Sequence, residues 1–180
     1  SEHTCGVTRS KRVKCWGSDY HGTSSPPSES FQSVSAGGSH TCGVTKRVTK
    51  HGNVRCWGHG LYGKTRVPPG TFKSVSAGWQ HTCGVMDSGS VKCWGDDFEG
   101  QTSAPSGSFK SVSVGGNHTC GVTESGSVKC WGNNGEGQAS PPSGRFESVS
   151  AGSQHTCGVT ESGHVKCWGK NDEGQASPPS

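Results

Sequence analysis

Ten cysteines recur in five evenly spaced pairs, and this pattern restricts the fold more than any other feature of the chain. Each pair opens with Cys-Gly-Val and closes with Cys-Trp-Gly, ten residues apart in four copies and fourteen in the second. The Cys-Gly-Val triplets, which begin at Cys5, Cys42, Cys83, Cys120 and Cys157, follow one another at intervals of 37, 41, 37 and 37 residues. Periods of this length are typical of solenoids, propellers and other repeat arrays. We therefore expect five copies of one small unit.

Each unit predicts three short β-strands. In the fourth copy, residues 109–114 are rich in Val and Ser and end at a pair of glycines. Residues 118–123 form a second run, and residues 127–131 form a third after a turn that contains Gly126. No segment shows an apolar period of 3.6 residues, so the sequence predicts essentially no helix.

The cysteine pair fits the hairpin made by the second and third strands. If the turn is centred on Ser125, Cys120 lies opposite Cys130 and Val122 opposite Val128, all on one face. Cysteines in opposite positions can close a disulfide with little backbone movement. Zinc is the alternative, but it needs four converging ligands, which pairs without a Cys-x-x-Cys motif match poorly. The predicted disulfides are Cys5–Cys15, Cys42–Cys56, Cys83–Cys93, Cys120–Cys130 and Cys157–Cys167.

Composition indicates a small, stapled domain in an oxidising compartment. Only 27% of the 180 residues are hydrophobic and 30 are glycine, so a large Leu- and Ile-rich core is excluded. The six Trp and ten Cys, most of them at periodic positions, argue against disorder. No run of 18 apolar residues predicts a membrane span. The regular cysteines predict a secreted, extracellular protein, and the first residue, Ser1, agrees with a processed mature chain.

Two motifs resemble the regulator-of-chromosome-condensation repeat family. They are Gly-Gly-Asn-His at residues 115–118 and Trp-Gly-Asn-Asn-Gly-Glu-Gly-Gln at residues 131–138. The cysteine pairs are similar to those in the extracellular propellers of crinkly-type plant receptor kinases. Units 1 and 2 depart from the pattern, with Thr23 and Lys64 in place of Gln. The resemblance covers the whole chain, but the family does not fix a function.

The resemblance implies an all-β fold, a β-propeller of about five short blades with one disulfide per blade. The expected units of this single repeat domain are about residues 1–30, 31–71, 72–108, 109–145 and 146–180.

The number of strands leaves ring closure open. There are five cysteine hairpins but only four Phe-x-Ser-Val-Ser strands, which begin at Phe31, Phe72, Phe109 and Phe146. Either the ring closes imperfectly, or the chain is part of a longer protein, or a second chain supplies the pairing. An open array would leave exposed strand edges, which proteins generally avoid. The oligomeric state is not predicted.

Two aromatic positions recur in every unit and are expected to be structural. The repeated histidines are His3, His40, His81, His118 and His155. Equal positions in separate units are spread around a ring, so these histidines are not expected to converge on a metal ion. We expect them instead to bind neighbouring backbone, and we predict no metal and no cofactor. The repeated tryptophans are Trp16, Trp57, Trp94, Trp131 and Trp168. They could stack on sugars, but packing between blades is the favoured interpretation.

The candidate ligand-binding residues lie in loops. Trp79 replaces a small residue of the other units, and Tyr20 and Tyr62 occupy related loops of units 1 and 2. Polar candidates, which can exchange hydrogen bonds with sugar hydroxyls, are Asp97, Glu99, Asn134, Glu136, Asn171 and Glu173. The alternative is that such residues simply suit the turn. Asn117-His118-Thr119 is also a glycosylation sequon.

Charge is unevenly distributed along the chain. Residues 1–75 carry 11 basic and 3 acidic residues, whereas residues 76–180 carry 6 and 10. The predicted basic patch consists of Arg9, Lys11, Arg12, Lys46, Arg47 and Lys50. Such a patch can attract an anionic polysaccharide, although a solvated basic face is the simpler interpretation.

These observations predict a recognition protein rather than an enzyme. The chain has no Gly-x-Ser-x-Gly, His-Glu-x-x-His or P-loop motif, and near-identical units favour repeated binding or scaffolding. The leading hypothesis is a secreted, lectin-like protein that binds a glycan or glycoprotein through the loops between blades. The alternatives are a protein-binding module similar to an inhibitor or receptor ectodomain, and a binder of anionic polymers through units 1 and 2.

Overall fold

The computed structural model describes residues 2–45 and 52–179. These residues form fourteen β-strands and two 3-10 turns, Tyr20–Gly22 and Leu61–Gly63. The strands are β1 His3–Val7, β2 Val13–Gly17, β3 Phe31–Ala36, β4 His40–Thr45, β5 Val54–Gly58, β6 Phe72–Ala77, β7 His81–Met86, β8 Val91–Gly95, β9 Phe109–Val114, β10 His118–Thr123, β11 Val128–Gly132, β12 Phe146–Ala151, β13 His155–Thr160 and β14 Val165–Gly169.

The strands form five separate antiparallel sheets, each made of strands consecutive in sequence. Blade 1 contains β1 and β2, and blades 2 to 5 contain β3 to β5, β6 to β8, β9 to β11 and β12 to β14. We call the three strands of a full blade inner, middle and outer, in chain order; blade 1 has a middle and an outer strand only. The predicted all-β, propeller-type fold is confirmed. The third strand of blade 4 begins at Val128, one residue later than expected.

The predicted hairpin register is also confirmed. Cys120 pairs with Cys130 and Val122 with Val128 across β10 and β11. All five expected disulfides are present, one per blade, with Cα–Cα distances of 4.0–4.1 Å. Blade 2 keeps the same register at Cys42 and Cys56 despite its longer turn. The insertion is therefore confined to the turn, part of which lies outside the described residues.

The core consists of small apolar clusters between blades rather than one central mass. In the joint between blades 2 and 3, the disulfide face with Cys42 and Val44 is covered by Phe72 and Trp94 of the next blade. The next two joints contain equivalent clusters. A chain with few large aliphatic residues can fold in this way because each disulfide doubles as part of the buried surface.

The same joints carry a repeated chain of hydrogen bonds. Thr119 of blade 4 donates its hydroxyl proton to the carbonyl oxygen of Gln101 in blade 3, at 3.2 Å. The Thr119 hydroxyl must then accept from the Nε2–H of His81, at 2.8 Å. The indole of Trp131 also donates to the Gln101 carbonyl, at 2.9 Å. The equivalent histidine donors at the other joints are His3, His40 and His118.

Four of the five repeated histidines thus bind the next blade, but through a Thr hydroxyl rather than through the backbone that we expected. The repeated tryptophans pack between blades, as predicted, in the joints that precede blades 3, 4 and 5. There Trp94, Trp131 and Trp168 are buried, and each lies edge-on to the Phe of its own inner strand. Trp57 lies edge-on to Phe31 in the same way but is half-buried, and Trp16 has 60% of its surface exposed.

The five blades form an open array. Joints run from blade 1 to blade 5 in chain order, and among the described residues no hydrogen bond connects blade 5 to blade 1. His155 is therefore not engaged as the other four histidines are, and it is only half-buried. The described residues therefore form an unclosed row of blades.

Candidate recognition site

The strand order gives the array two different ends. The outer strands run into the loops 18–23, 59–64, 96–101, 133–138 and 170–175, which share one end with the turns between inner and middle strands; we call this end the loop face. The hairpin turns between middle and outer strands lie at the opposite end, the turn face. All sequence-predicted aromatic and polar candidates fall on the loop face.

A repeated glutamine shapes the loops of blades 3 to 5. In blade 3, Gln101 accepts a hydrogen bond from the backbone N–H of Glu99 at 2.8 Å and donates to Asp96 at 3.1 Å. Gln138 makes the equivalent pair in blade 4. Both glutamines are buried. The recurring Gln of the repeat motif is thus a local structural device.

The polar candidates divide into two groups by their side-chain contacts. The side-chain oxygens of Asp97, Asn134 and Asn171 accept backbone N–H groups five residues further on, at 2.7–2.9 Å. The side chains of the three glutamates, which are Glu99, Glu136 and Glu173, belong to exposed residues. Ligand binding by either group stays a prediction, and the glutamates are the better placed for it.

The loops of blades 1 and 2 have a different conformation because they lack the glutamine. With Thr23 and Lys64 at that position, each loop contains a 3-10 turn. The fourth residue of each loop has a left-handed backbone conformation, with φ 60° at His21 and φ 58° at Tyr62. Such values are uncommon for residues with a side chain. Blades 1 and 2 thereby present side chains that the other loops do not.

Exposed aromatic and aliphatic side chains run continuously over blades 1 to 3. The third loop residue is Tyr20, Leu61 and Phe98 in these blades, with 71%, 47% and 84% of the surface exposed. Tyr62 meets Phe98 edge-on across the joint between blades 2 and 3, with ring centroids 6.0 Å apart. We call this surface the aromatic arc; its members are Tyr20, His21, His59, Leu61, Tyr62 and Phe98.

Sequence reasoning selected only part of the arc. It identified Tyr20 and Tyr62 but not Leu61 or Phe98. Aligning the third loop position would have shown the signal, because three large apolar residues are followed by Gly135 and Asp172 in blades 4 and 5. The stacking of His21 on His59, with ring centroids 4.3 Å apart, had no sequence signal.

Trp79 and Tyr20 line the same cavity on the loop face. It has a volume of about 460 Å³, and its polar lining includes Glu2, Ser39 and Gln80. Trp79 is 52% exposed. The structure therefore brings together two candidates that are 59 positions apart in the sequence. Aromatic faces with a few polar groups between them suit a sugar ring or the side chain of a polypeptide.

A buried lysine holds the polar wall of this cavity. Lys64 has no exposed surface, and its Nζ donates to Ser39 Oγ at 2.9 Å and to Gln80 Oε1. Burial lowers the pKa of Lys64, while the charge of Asp96 acts in the opposite direction. Sequence analysis noted Lys64 only as a departure from Gln. Its structural consequence is to fix two side chains that line the cavity, Ser39 of its own blade and Gln80 of the next blade.

Trp79 also borders a second cavity, of about 300 Å³, on its other side. Amide side chains dominate its lining, among them Asn117, Asn133 and Gln154. Trp79 further reaches the small-residue cavity where the inner strands converge. The sequon residue Asn117 is exposed here, and its glycosylation stays a prediction.

Charge differs between the two ends of the array. The five loops carry seven carboxylate residues and two lysines. On the turn face, Arg9, Lys11 and Arg12 are exposed in the first hairpin turn. The other members of the predicted basic patch, Lys46, Arg47 and Lys50, lie outside the described residues. Binding of anionic polymers by this patch stays a prediction.

Neither a metal centre nor a membrane-spanning helix is found in the described part of the chain. Across residues 2–45 and 52–179, no three His, Cys, Asp or Glu side chains converge as metal ligands. No described helix has the length and apolarity needed to cross a bilayer.

One family model matches the chain, that of the regulator of chromosome condensation (RCC1) repeat. It matches residues 1–23, 72–101, 109–138 and 146–175, which together exceed half of the chain. The unmatched part contains unit 2, with its longer hairpin turn and Lys64. No curated protein matches in sequence.

Several solved structures have the same fold. The ectodomain of the Arabidopsis thaliana receptor kinase ACR4 is 31% identical with a TM-score of 0.80, covering 94% of this chain and 63% of that one. The Physcomitrella patens receptor kinase CR4 ectodomain is 29% identical with a TM-score of 0.80, covering 94% and 50%. Prp20p from Saccharomyces cerevisiae, at 14% identity and a TM-score of 0.81, covers 95% and 57% and is similar in fold alone. The chain thus spans about half to two thirds of these structures.

Proposed function

The chain belongs to the regulator of chromosome condensation (RCC1) repeat family, and on that premise we propose that it is a non-enzymatic extracellular recognition module that binds a polypeptide through its loop face. The aromatic arc carries this proposal. Clustered, exposed aromatic side chains on a monomeric surface mark interaction sites. Tyr20, Leu61 and Phe98 extend over three blades, a span suited to a polypeptide surface.

The asymmetry of the loop face favours a polypeptide over a sugar site repeated in each blade. A repeated site would need the same groups in every loop. Instead, the position of Tyr20 and Phe98 is occupied by Gly135 and Asp172 in blades 4 and 5. One extended surface, built from unlike loops, suits one extended partner.

The charges around the arc indicate a basic partner. Exposed Glu99 borders Phe98, and Asp19 borders Tyr20. Lysine and arginine side chains bind well where an aromatic face and a carboxylate lie side by side, through cation–π and ionic attraction. We infer that the partner presents Lys or Arg among apolar residues. Such binding weakens as salt screens the charges.

An extracellular location is supported by the chemistry and by the relatives. Five disulfides persist only in oxidising surroundings in most organisms. Two of the similar structures, which are 29% and 31% identical to this chain, are ectodomains of receptor kinases. Binding without catalysis fits a loop face that is built from aromatic and turn-forming side chains.

Replacing exposed aromatic residues of the loop face is expected to remove binding without unfolding the chain. The test selects binders from a random dodecapeptide display library on the wild-type chain and measures affinity for the enriched peptides. We expect enrichment of basic peptides and at least tenfold weaker binding by Phe98→Ala and Trp79→Ala. Because Phe98 is 84% exposed, the free energy of unfolding of Phe98→Ala should stay within about 0.5 kcal/mol of wild type.

The matched control is Glu147→Ala, an exposed position of β12 distant from the loops. It should leave both affinity and stability unchanged. The proposal is contradicted if no peptide is enriched, or if enriched peptides bind the Phe98→Ala and Trp79→Ala chains as well as wild type.

A second candidate is glycan binding, as the sequence predicted. The cavity between Tyr20 and Trp79 supports it, because two rings and the polar groups of Ser39 and Gln80 could hold one sugar. A glycan array distinguishes the two functions. A lectin would lose its glycan signal with Trp79→Ala but keep it with Phe98→Ala, which lies outside the cavity lining.

A further inference from the structure

The cavity of about 300 Å³ at the joint between blades 4 and 5 combines an aromatic ring with side-chain amides. Its lining contains the indole of Trp79 and the amides of Asn117, Asn133, Gln138 and Gln154. The remaining lining residues are a glycine and a serine, so no ionisable side chain lies among the described residues that line it. Both blades have all three strands, so this is an internal joint of the array. We call this space the amide cavity.

The four amide positions recur at every joint, but their uniform chemistry does not. Each position precedes the repeated His of a blade or is the first or sixth residue of a loop. At the other joints these positions include ionisable residues, which are Glu2 between blades 1 and 2, His59 and Lys64 between blades 2 and 3, and Asp96 between blades 3 and 4. The set of four amides is therefore a property of one joint and not of the repeat.

Three of the amides have hydrogen-bonding capacity that the fold does not use. Oδ1 of Asn133 accepts from Gln138 Nε2 at 2.6 Å and from the backbone N–H of Gly135 at 3.2 Å, which fixes the side chain. Within the described part of the chain, its Nδ2 donates to no protein group, and the side-chain amides of Asn117 and Gln154 make no hydrogen bond. Asn117 and Gln154 are exposed. Unused donors and acceptors thus line one cavity.

This lining matches the chemistry of an uncharged sugar. Amide side chains both donate and accept hydrogen bonds, as sugar hydroxyls do. The indole of Trp79, which is 52% exposed, offers a flat apolar surface for the C–H face of a sugar ring. A charged ligand would lose hydration here without gaining an opposite charge. Ligand pockets measure about 300–1,000 Å³, so a cavity at the lower end of that range suits one ring.

We propose that the amide cavity binds a single uncharged sugar residue, with its ring against Trp79 and its hydroxyls bonded to the three free amides. This site goes beyond the polypeptide binding proposed for the aromatic arc and does not depend on it. It also differs from the cavity between Tyr20 and Trp79, which is lined by residues of blades 1 to 3.

The sugar can come from either of two sources that share this chemistry. One is a glycan on another molecule. The other is a glycan linked to Asn117 itself, because Asn117-His118-Thr119 is a sequon. Thr119 is buried in the folded chain, so such a link must form before blade 4 folds. The experiment therefore has one arm for each source.

The first arm uses isotope-labelled chain from an oxidising bacterial host that adds no N-linked glycan. Methyl glycosides of glucose, galactose, mannose and N-acetylglucosamine are titrated into it, with glucuronate for comparison. At least one neutral sugar should shift the Trp79 indole N–H and the side-chain amide resonances saturably, with a dissociation constant of about a millimolar. Glucuronate should bind more weakly than glucose, because the described lining offers no cation to its carboxylate.

Asn117→Ala and Gln154→Ala are the decisive variants, because both side chains are exposed and make no hydrogen bond within the described chain. Each should weaken sugar binding about fivefold, as expected for the loss of a hydrogen bond. Trp79→Ala should weaken it at least tenfold. Tyr20→Ala, which changes only the other cavity, is the matched control and should bind sugar as wild type does. The two amide variants should also keep their affinity for the selected peptides, so the two functions are tested separately.

The second arm tests whether Asn117 supplies the sugar. The chain is secreted from a eukaryotic cell, its intact mass is measured, and its Trp79 indole resonance is compared with that of the unmodified chain. A sugar on Asn117 that occupies the cavity should shift this resonance, keep it shifted after the glycan is trimmed to its first residue, and block added sugar. If the secreted chain has no glycan, or still binds added sugar, the ligand is a glycan of another molecule.

Two results would overturn the proposal. One is that no neutral sugar shifts the Trp79 resonance in the first arm while the secreted chain has the same resonance as the unmodified one. The other is that sugar binding survives Trp79→Ala, or survives both Asn117→Ala and Gln154→Ala, at wild-type affinity.

Discussion

Full reduction of the five disulfides is expected to unfold the chain at room temperature. Each disulfide closes a loop of 10 or 14 residues, for which chain entropy gives about 2–3 kcal/mol. Five such terms total about 10–15 kcal/mol, which is comparable with the entire stability of a typical domain, about 5–15 kcal/mol. The disulfides also form part of the buried surface at each joint, as Cys83 does against Phe109, so reduction weakens packing as well.

The measurement is loss of near-ultraviolet circular dichroism and of cooperative thermal unfolding after complete reduction, verified by a thiol count of ten. A variant that lacks one disulfide, Cys83→Ser with Cys93→Ser, isolates the contribution of one blade. Its free energy of unfolding should be about 2–3 kcal/mol lower than that of wild type. A fully reduced chain that melts at the temperature of the oxidised one would refute this account of stability.

Acidification between pH 6.5 and about 4 is expected to destabilise the fold strongly. Burial lowers the pKa of His40 to about 3, aided by the charge of Lys64, and lowers the pKa values of His81 and His118 to about 4. Nε2 already donates to a Thr hydroxyl, and Nδ1 of each is buried without a hydrogen-bond partner among the described residues. A second proton would therefore create an unsatisfied buried charge.

The direction of the pH dependence follows from these lowered values. Between the unfolded pKa near 6.5 and the folded values, the unfolded chain binds more protons than the folded one. The stabilisation is complete above pH 6.5, is lost as pH falls to about 4 for His81 and His118 and to about 3 for His40, and changes little below those values. Each of the three histidines contributes on the order of 3 kcal/mol.

Urea unfolding at half-unit pH steps from 7.5 to 4 measures this dependence. His118→Gln keeps a donor for Thr156 but cannot be protonated, so its stability should fall less steeply with pH. His164→Gln, at an exposed position of the turn face, is the control and should follow wild type. Stability that stays constant from pH 7 to 4.5 would contradict the role assigned to the buried histidines.

The sequence predicted those features that depend on local periodicity. Side chains alternate along a strand, so the spacing of Cys120 and Cys130 was sufficient to place them opposite each other. The strand at residues 109–114 was predicted in the same way. The partner of His81 could not be predicted, because Thr119 is 38 positions away and reaches the imidazole only through the packing of two blades.

The candidate site was predicted less completely for a related reason. Tyr20, Tyr62 and Trp79 were identified because each departs from its repeat. Phe98 was not, because its loop was selected for the polar residues Asp97 and Glu99. Lys64 is held by Ser39 of its own blade and by Gln80 of the next one, and no pattern within one unit contains the second contact.

Every joint in the array has a direction. Each blade contributes a histidine and a loop carbonyl on one side, and the next blade contributes the Thr hydroxyl and the Trp indole that bind them. A 37-residue segment inserted or removed between two standard blades would bring both complementary halves with it. Tandem duplication or deletion of a gene segment can therefore lengthen or shorten such a protein by whole blades without requiring any new contact between blades. Substitutions at loop positions such as Tyr20 and Phe98 then diversify what the protein recognises.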